Sequence, residues 1–290
     1  MVCLEIAYWK VLLGFTGEKA ANEFVFRQGI EYGPEEKGII IERIRDAREY
    51  VSRLGKREVN VSLKPIQEEF QSYLKEVESE STFKEQFLDC AEGGFKSIDP
   101  KELIVGVESL NVSYIDELLR TVPKPSDAEG TLKYCLPTRK SRPLQKVAVS
   151  FNPDTNTYNI VTDNLDFRII GAVESQEQET GRQILGFVYG GGLPHISVAE
   201  YKGRYILKNG HHRAYALMKN GHTSIPVLVV RPESFAGTGA LRTGLFTIDV
   251  IMGDTPPLLK DFATHAAVDV KRARLKMFIT VHAESQAVAV

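Results

Sequence analysis

The segment 205–218 constrains the fold of this chain more than any other, because it predicts a strand that turns sharply into a helix. Its first residues are β-prone, Asn209 and Gly210 form a pair typical of tight turns, and the residues that follow favour a helix. That helix is expected to end at Gly221, and the apolar run 225–230 predicts a further strand. The sequence therefore indicates a strand, a helix that begins at or just after Gly210, and a second strand.

His211, His212 and Arg213 stand at the predicted start of this helix. A helix N-terminus carries partial positive charge and favours Asp, Ser or Glu, so cations there are unfavourable unless an anion binds. Free amide groups at a helix start bind phosphate, and an arginine adds charge-assisted hydrogen bonds. The pattern predicts a phosphate site, with Gly210 allowing the ligand to approach the backbone. The alternative is that Gly210 serves only a turn that needs a positive φ.

The spacing of these residues resembles the core of the ParB and sulfiredoxin superfamily. The stretches that carry the resemblance are 194–198, 203–207, 209–217 with Gly221, and 225–227. It covers residues 190–230, with residues 98–122 as a diverged first half of the core. Together with the helical periodicity before residue 95, the resemblance implies an α+β fold, in which a helical N-terminal region precedes a ParB/sulfiredoxin-like mixed α/β core.

In that superfamily the Gly-x-x-Arg turn implies binding of nucleotide phosphates, and here the turn reads Gly-His-His-Arg from Gly210. The resemblance implies a nucleoside triphosphate, ATP or CTP, with Mg²⁺ as the cofactor. The residues expected to bind it are Lys208, Asn209, Gly210, His212 and Arg213. The Mg²⁺ ion would arrive with the nucleotide, because this ion takes few protein carboxylates and bridges phosphates.

The chain departs from both family patterns. The sulfiredoxin turn is Gly-Cys-His-Arg, so His211 stands where the nucleophilic cysteine would be, and reduction of a cysteine sulfinic acid is not expected. The ParB turn is richer in arginine and carries Glu after the glycine, which puts a CTP-dependent clamp in doubt. No helix-turn-helix pattern follows residue 230, although ParB partition proteins carry one there.

The leading hypothesis is an intracellular protein that binds a nucleotide or another phosphorylated small molecule. If it is an enzyme, NTP hydrolysis or phosphoryl transfer is expected. His211, His212 and Arg213 would then be the catalytic residues: Arg213 would clamp phosphate, and His212 would orient or protonate it. The alternatives are a non-catalytic DNA-binding or regulatory module and a ParB-like nuclease. A carboxylate that converges on the turn would separate these hypotheses. The candidates are Asp99, Glu102, Asp163, Asp166 and Glu200.

Composition and cysteine usage are those of an ordinary globular protein. The chain has 290 residues, of which 43% are hydrophobic, and its net charge of −2 lacks the basic surplus of a dedicated DNA-coating protein. Cys3, Cys90 and Cys135 lie far apart and form no C-x-x-C pair, so we expect buried thiols in a reducing cytoplasm. Neither the adjacent His211 and His212 nor the ten-residue gap from His212 to His222 matches a familiar metal-ligand spacing, so no protein-held metal is expected. No stretch approaches the ~20 apolar residues of a membrane span, and no membrane partner is expected. The sequence does not determine the oligomeric state.

Two domains are expected, a helical region over residues 1–95 and a ParB/sulfiredoxin-like domain with a β-containing C-terminal extension over residues 96–290. Apolar spacing predicts an amphipathic helix over residues 40–54. Two β-prone runs around a turn predict a hairpin over residues 146–162. The polar segment 174–182 is expected to be a surface linker or a short helix.

Several features of the second half complete the sequence-based predictions. Residues 246–251 and 277–281 are strand-like. The glycines at 190–192 predict either a mobile lid near the phosphate turn or a flexible connector. A basic cluster indicates either a solvated face or a weak nucleic-acid patch. Its members are Lys271, Arg272, Arg274 and Lys276.

Overall fold

The structure is a computed structural model that describes residues 5–27, 30, 32–58, 61–87, 90–141, 147–165, 167–191, 194–240, 245–284 and 286. These residues form both helices and strands, which confirms a mixed α+β protein. The chain divides into two compact units, each built from two separate stretches. They are Met1–Arg142 with Leu193–Ala273, and Pro143–Gly192 with Arg274–Val290. The units therefore do not follow the boundary expected between residues 95 and 96.

The first unit contains all the α-helices of the described residues. They are α1 (Glu18–Phe26), α2 (Pro34–Ser52), α3 (Gln71–Ser79), α4 (Ser81–Lys84), α5 (Val112–Leu119), α6 (Ala128–Cys135), α7 (His211–Lys219) and α8 (Ile248–Met252). Its strands are β1 (Ile6–Val11), β2 (Cys90–Ile98), β3 (Ile104–Val105), β4 (Ser109–Asn111), β9 (Ser197–Tyr201), β10 (Arg204–Asn209), β11 (Ile225–Pro232) and β12 (Val268–Ala273).

A five-stranded mixed sheet of order β2-β11-β9-β10-β3 lies in the larger hydrophobic core. β10 pairs antiparallel with β9 and parallel with β3, whereas β11 pairs parallel with β9 and antiparallel with β2. Successive residues Val227, Leu228 and Val229 are all fully buried, so both faces of the sheet are covered. α7 connects β10 to β11, and α5 packs against α7. This sheet therefore fixes the position of the turn at Gly210.

A second sheet, of order β12-β1-β4, ties the N-terminal residues to the rest of the first unit. β1 pairs antiparallel with β12, from Ile6 opposite Ala273 to Val11 opposite Val268. Helix α2 confirms the amphipathic helix predicted over residues 40–54, and its buried Ile44 packs in a core cluster with Val11 and Val268. The first 95 residues thus fold together with strands from much later in the chain, which local periodicity does not reveal.

The second unit is made of strands in its described part. They are β5 (Ala148–Asn152), β6 (Thr157–Thr162), β7 (Arg168–Gln176), β8 (Gln183–Gly190) and β13 (Met277–His282). β5 and β6 form the hairpin predicted over residues 146–162, and β13 pairs with β6, which confirms the strand predicted at residues 277–281. The segment 174–182, expected to be a surface linker or a short helix, is divided: residues 177–182 form an exposed turn that links the two strands, whereas residues 174–176 belong to β7, which pairs with β8 as far as Gln176 opposite Gln183.

Residues 246–251 were expected to be a strand, and this prediction is wrong. The segment enters α8, whose first turn is capped by Thr247: its Oγ1 accepts a hydrogen bond from the Val250 amide at 3.4 Å. A short apolar run does not separate a buried helix from a strand by periodicity alone. Of the glycines at 190–192, Gly190 ends β8 and Gly192 lies outside the described residues. None of the described helices is both long enough and apolar enough to cross a membrane.

Candidate functional site

The turn between β10 and α7 has the predicted geometry. β10 ends at Asn209, Gly210 adopts a left-handed conformation with φ of 84°, and α7 begins at His211. His211, His212 and Arg213 therefore form the first turn of α7, which contains no acidic residue. The turn lies at the carboxyl end of β10, next to the carboxyl end of its parallel neighbour β3.

Gly210 is required by both backbone angle and space. Its φ lies in the region that side chains disfavour, and a Cβ atom at this position would lie 2.8 Å from Cγ1 of Ile196. Ile196 is fully buried, so it has little freedom to move away. The tight turn and the close packing therefore account for the glycine even without a ligand.

Replacing Gly210 with alanine is expected to lower the free energy of unfolding by about 1–3 kcal/mol, because strain at φ and a close contact add. Gly203 is the matched control, since it has φ of 74° but open space where a Cβ would stand. Chemical denaturation of the two variants separates the two causes. Equal losses for Gly210→Ala and Gly203→Ala would show that the contact with Ile196 contributes nothing.

His212 is held as a neutral hydrogen-bond acceptor. Its Nε2 accepts from the backbone amide of Asn111 at 3.0 Å, and the ring of Tyr114 packs against it with centroids 5.2 Å apart. Burial lowers the pKa of His212 to about 4, so the imidazole is uncharged at neutral pH. This Nε2 carries no proton that it could give to a phosphate. The contacts instead couple α7 to the start of α5.

His211 and Arg213 both contact backbone carbonyl groups. Nε2 of His211 donates to the carbonyl oxygen of Leu207 at 2.9 Å, back along β10. Nη1 of Arg213 donates to the carbonyl oxygen of Tyr134 at 3.1 Å, near the end of α6. Arg213 therefore has a structural contact as well as its place in the first turn of α7.

Arg213 lies among groups that sequence reasoning did not single out. Burial raises the pKa of the Tyr134 hydroxyl and raises the pKa of the Cys135 thiol to about 12, and in both cases Arg213 opposes the change. The same arginine opposes a smaller rise in the pKa of Tyr114. Oη of Tyr134 is buried and has no hydrogen-bond partner among the described residues. No local pattern marks these residues, because α5 and α6 bring them to the turn from about 80 to 100 positions earlier.

The remaining predicted ligand residues also face protein groups. Nζ of Lys208 lies 3.2 Å from Sγ of Cys90, and Nδ2 of Asn209 donates to the carbonyl oxygen of His195 at 2.9 Å. Cys90 and Cys135 are both buried, as the sequence predicted for structural thiols, and Cys3 lies outside the described residues. Cys90 thus contacts the side chain of Lys208, and Cys135 lies within electrostatic range of Arg213, although both cysteines are remote from these residues in sequence.

Each described carboxylate candidate already has a partner that is not part of the turn. Asp99 accepts from the amide of Lys101 at 2.9 Å, and Glu102 pairs with Lys260 at 2.8 Å. The other two form ion pairs, Glu200 with Arg231 at 2.9 Å and Asp163 with Arg274 at 3.2 Å. Asp166 lies outside the described residues. The described part of the chain also holds no group of three or more His, Cys, Asp or Glu side chains that could bind a metal ion.

The basic cluster at residues 271–276 is largely tied into the fold. Lys271 pairs with Glu36 at 2.6 Å. The guanidinium of Arg272 lies over two aromatic rings, with its carbon 4.7 Å from the centroid of Trp9 and 5.1 Å from that of Phe24. Because Lys271 and Arg272 already have partners within the protein, these contacts favour a solvated surface over a nucleic-acid patch.

Comparisons with protein-family models, with curated proteins and with solved structures found no match. The resemblance to the ParB and sulfiredoxin superfamily therefore rests on the motif residues alone.

Proposed function

We propose that this chain binds a phosphate-bearing ligand, such as a nucleotide, at the N-terminal end of α7, in the manner of ParB and sulfiredoxin-like proteins. The observation that carries the proposal is the start of α7, where a nine-residue helix begins at a left-handed glycine with Arg213, and no acidic residue, in its first turn. A helix start of this kind offers amide groups and positive potential to an anion.

The contacts at the turn support particular roles within this proposal. The backbone amides of the first turn and the guanidinium of Arg213 would meet the phosphate. His212 would position the turn through its bond with Asn111 rather than act as an acid. The buried hydroxyl of Tyr134, without a partner among the described residues, is a further group that a ligand beside Arg213 could satisfy.

Binding is better supported than catalysis. The four described carboxylate candidates are already bound to other protein groups, and the neutral His212 is not a proton donor at neutral pH. We therefore expect a bound nucleotide to bring its own Mg²⁺. A ligand-binding role is favoured over that of a nuclease.

The test is a thermal-shift panel with ATP, CTP and inorganic phosphate, each with and without Mg²⁺. A ligand that binds only the folded chain raises the melting temperature by mass action. Replacing Arg213 with alanine is expected to weaken binding of the active ligand by about 10- to 100-fold, as loss of a charged hydrogen bond predicts. The affinity measured by calorimetry is the readout, because the variant also loses the bond to Tyr134 and its own melting temperature falls.

Arg120 supplies a matched control, since it is an exposed arginine at the end of α5. Arg120→Ala should bind the ligand as the wild type does. A second variant, Arg213→Lys, keeps the positive charge but loses the planar guanidinium group. Its affinity for the ligand should lie between that of the wild type and that of Arg213→Ala. The proposal fails if no ligand of the panel raises the melting temperature of the wild type.

A further inference from the structure

A lysine and a cysteine from two strands of the five-stranded sheet are in direct contact. Nζ of Lys208, near the end of β10, donates a hydrogen bond to Sγ of Cys90, the first residue of β2, at 3.2 Å. The two strands are not neighbours, because β11 and β9 lie between them in the sheet. The side chain of Lys208 therefore reaches past two strands to the thiol.

The backbone of β10 is irregular at this lysine. Its pairing with β9 shifts register between Leu207 and Asn209, so Lys208 lies in a β-bulge. A bulge redirects a side chain, and bulges are frequent beside functional sites. The bulge thus accounts for a lysine side chain that turns toward a thiol and departs from the regular alternation of the strand.

The partner of Lys208 is unusual for a half-buried lysine. Charged side chains are seldom buried unless they are paired with an opposite charge. Lys208 is half-buried, yet the ion pairs of the described residues do not include it. Sulfur is only a weak hydrogen-bond acceptor, so stabilisation of the fold is a poor explanation for the contact.

The two described cysteines differ in their access to a small oxidant. Cys90 is 9% exposed, and its thiol donates to the carbonyl oxygen of Gly237 at 3.8 Å. Cys135 is fully buried, and burial raises the pKa of its thiol to about 12. Reactive cysteines in proteins lie beside basic side chains and are partly accessible, whereas fully buried ones are inert. Cys90 is therefore the better placed of the two for oxidation.

We infer that Cys90 and Lys208 form a redox-sensitive pair, which hydrogen peroxide joins covalently through a sulfenamide bond. First, the O–O bond of the peroxide breaks, the thiol gains an oxygen and becomes a sulfenic acid, and one water leaves. Second, the uncharged amine of Lys208 attacks the sulfenic sulfur with its lone pair and the S–O bond breaks. The departing hydroxide takes a proton from the amine and leaves as a second water. Sulfur is oxidised by two electrons, and sulfenic acids condense with nitrogen in this way.

The link ties β2 to β10 and protects the sulfur. Rotation about the flexible four-carbon stem of lysine brings Nζ from 3.2 Å to bonding distance. The sulfenamide holds Cys90 at a reversible stage, because further oxidation to the sulfinic acid is irreversible. A cross-link between residues distant in the chain also restricts the unfolded state, so oxidation stabilises the fold.

Peptide mapping of the full chain by mass spectrometry tests the link, with Cys3 replaced by serine so that it forms no disulfide. After peroxide treatment, free thiols are alkylated and the chain is cut with trypsin. The peptide 85–96, which contains Cys90, is expected to be joined to the peptide 205–213, because trypsin does not cut after a modified Lys208. The joined pair should weigh about 2 Da less than its two peptides together and should separate in dithiothreitol.

Two lysine variants, made in the same Cys3→Ser chain, show whether the amine forms the bond. Lys208→Arg keeps the positive charge, but its guanidinium cannot lose the proton that attack on sulfur requires. Its Cys90 should therefore remain a sulfenic acid, which dimedone labels. Lys202→Arg is the matched control, since Lys202 is an exposed lysine in the turn between β9 and β10. This control should form the joined peptide pair in full.

The melting temperature provides a second readout of the same variants. Its change on oxidation should be more positive in Lys202→Arg than in Lys208→Arg, because the first variant closes the link and the second does not. Oxidation of methionines is common to both variants and cancels in this comparison. Dithiothreitol should remove the difference.

Three outcomes would overturn the redox pair. They are an oxidised chain without the joined peptides, a joined pair that forms equally in Lys208→Arg, and recovery of Cys90 as a sulfinic acid although Lys208 is present.

Discussion

Replacing Asp261 with alanine is expected to lower the free energy of unfolding by about 3–5 kcal/mol, the cost of leaving a buried charge without its partner. The side chain of Asp261 is 2% exposed and forms a two-pronged ion pair with Arg57, at 2.5 and 3.0 Å. Oδ2 of Asp261 also accepts from the amide of Leu258 at 2.7 Å. Arg57 further donates to the carbonyl oxygen of Pro256 at 3.0 Å. This pair fastens the chain after α2 to the segment that precedes β12.

Urea denaturation measures the loss, with Asp254→Ala as the control. Asp254 pairs with Lys56 in the same region, but both side chains are 75% exposed, so its loss should cost less than about 1 kcal/mol. Similar changes for the two variants would mean that the Arg57–Asp261 pair is not buried as described.

Stability is expected to fall as the pH drops from about 6.5 to about 4, because His212 is neutral in the folded chain. The folded-state pKa of His212 is about 4, whereas the ordinary value is 6.5. Between these values the unfolded chain binds a proton that the folded chain excludes. The stabilisation from the neutral His212 is therefore fully present above pH 6.5. As the pH falls below 6.5, the free energy of unfolding decreases by about 1.4 kcal/mol per pH unit, to a total loss of about 3 kcal/mol near pH 4.

The pH dependence is measured by denaturation of the wild type and of His212→Gln across this range. The variant should show a flatter profile, and the difference isolates His212 from His222, whose pKa burial also lowers. Parallel profiles for His212→Gln and wild type would contradict the burial of the imidazole.

Local patterns predicted the elements that depend on neighbouring residues. Apolar spacing predicted α2, and the Asn-Gly turn predicted the start of α7 at Gly210, because both are determined within a few residues. The hairpin of β5 and β6 was predicted for the same reason.

Partners brought together by the fold could not be predicted in this way. β1 pairs with β12 across most of the chain, and no local signal specifies that register. The charge of the turn could not be predicted from local sequence either. The amide of Asn111 and the ring of Tyr114, which lie about 100 residues earlier in the chain, hold His212 as a neutral hydrogen-bond acceptor. The sequence showed which residues form the turn, but not which protein groups they contact.

The most direct test of the proposed phosphate site is to follow the backbone amide resonances of α7 by NMR during titration with ATP and Mg²⁺, and separately with inorganic phosphate. A phosphate at the helix start would shift the amides of His211, His212 and Arg213 most, since they point toward the anion. We expect saturable shifts of these three amides in the wild type and a weaker response in Arg213→Ala. Saturable shifts confined to another part of the chain, or none with either ligand, would contradict the proposed phosphate site.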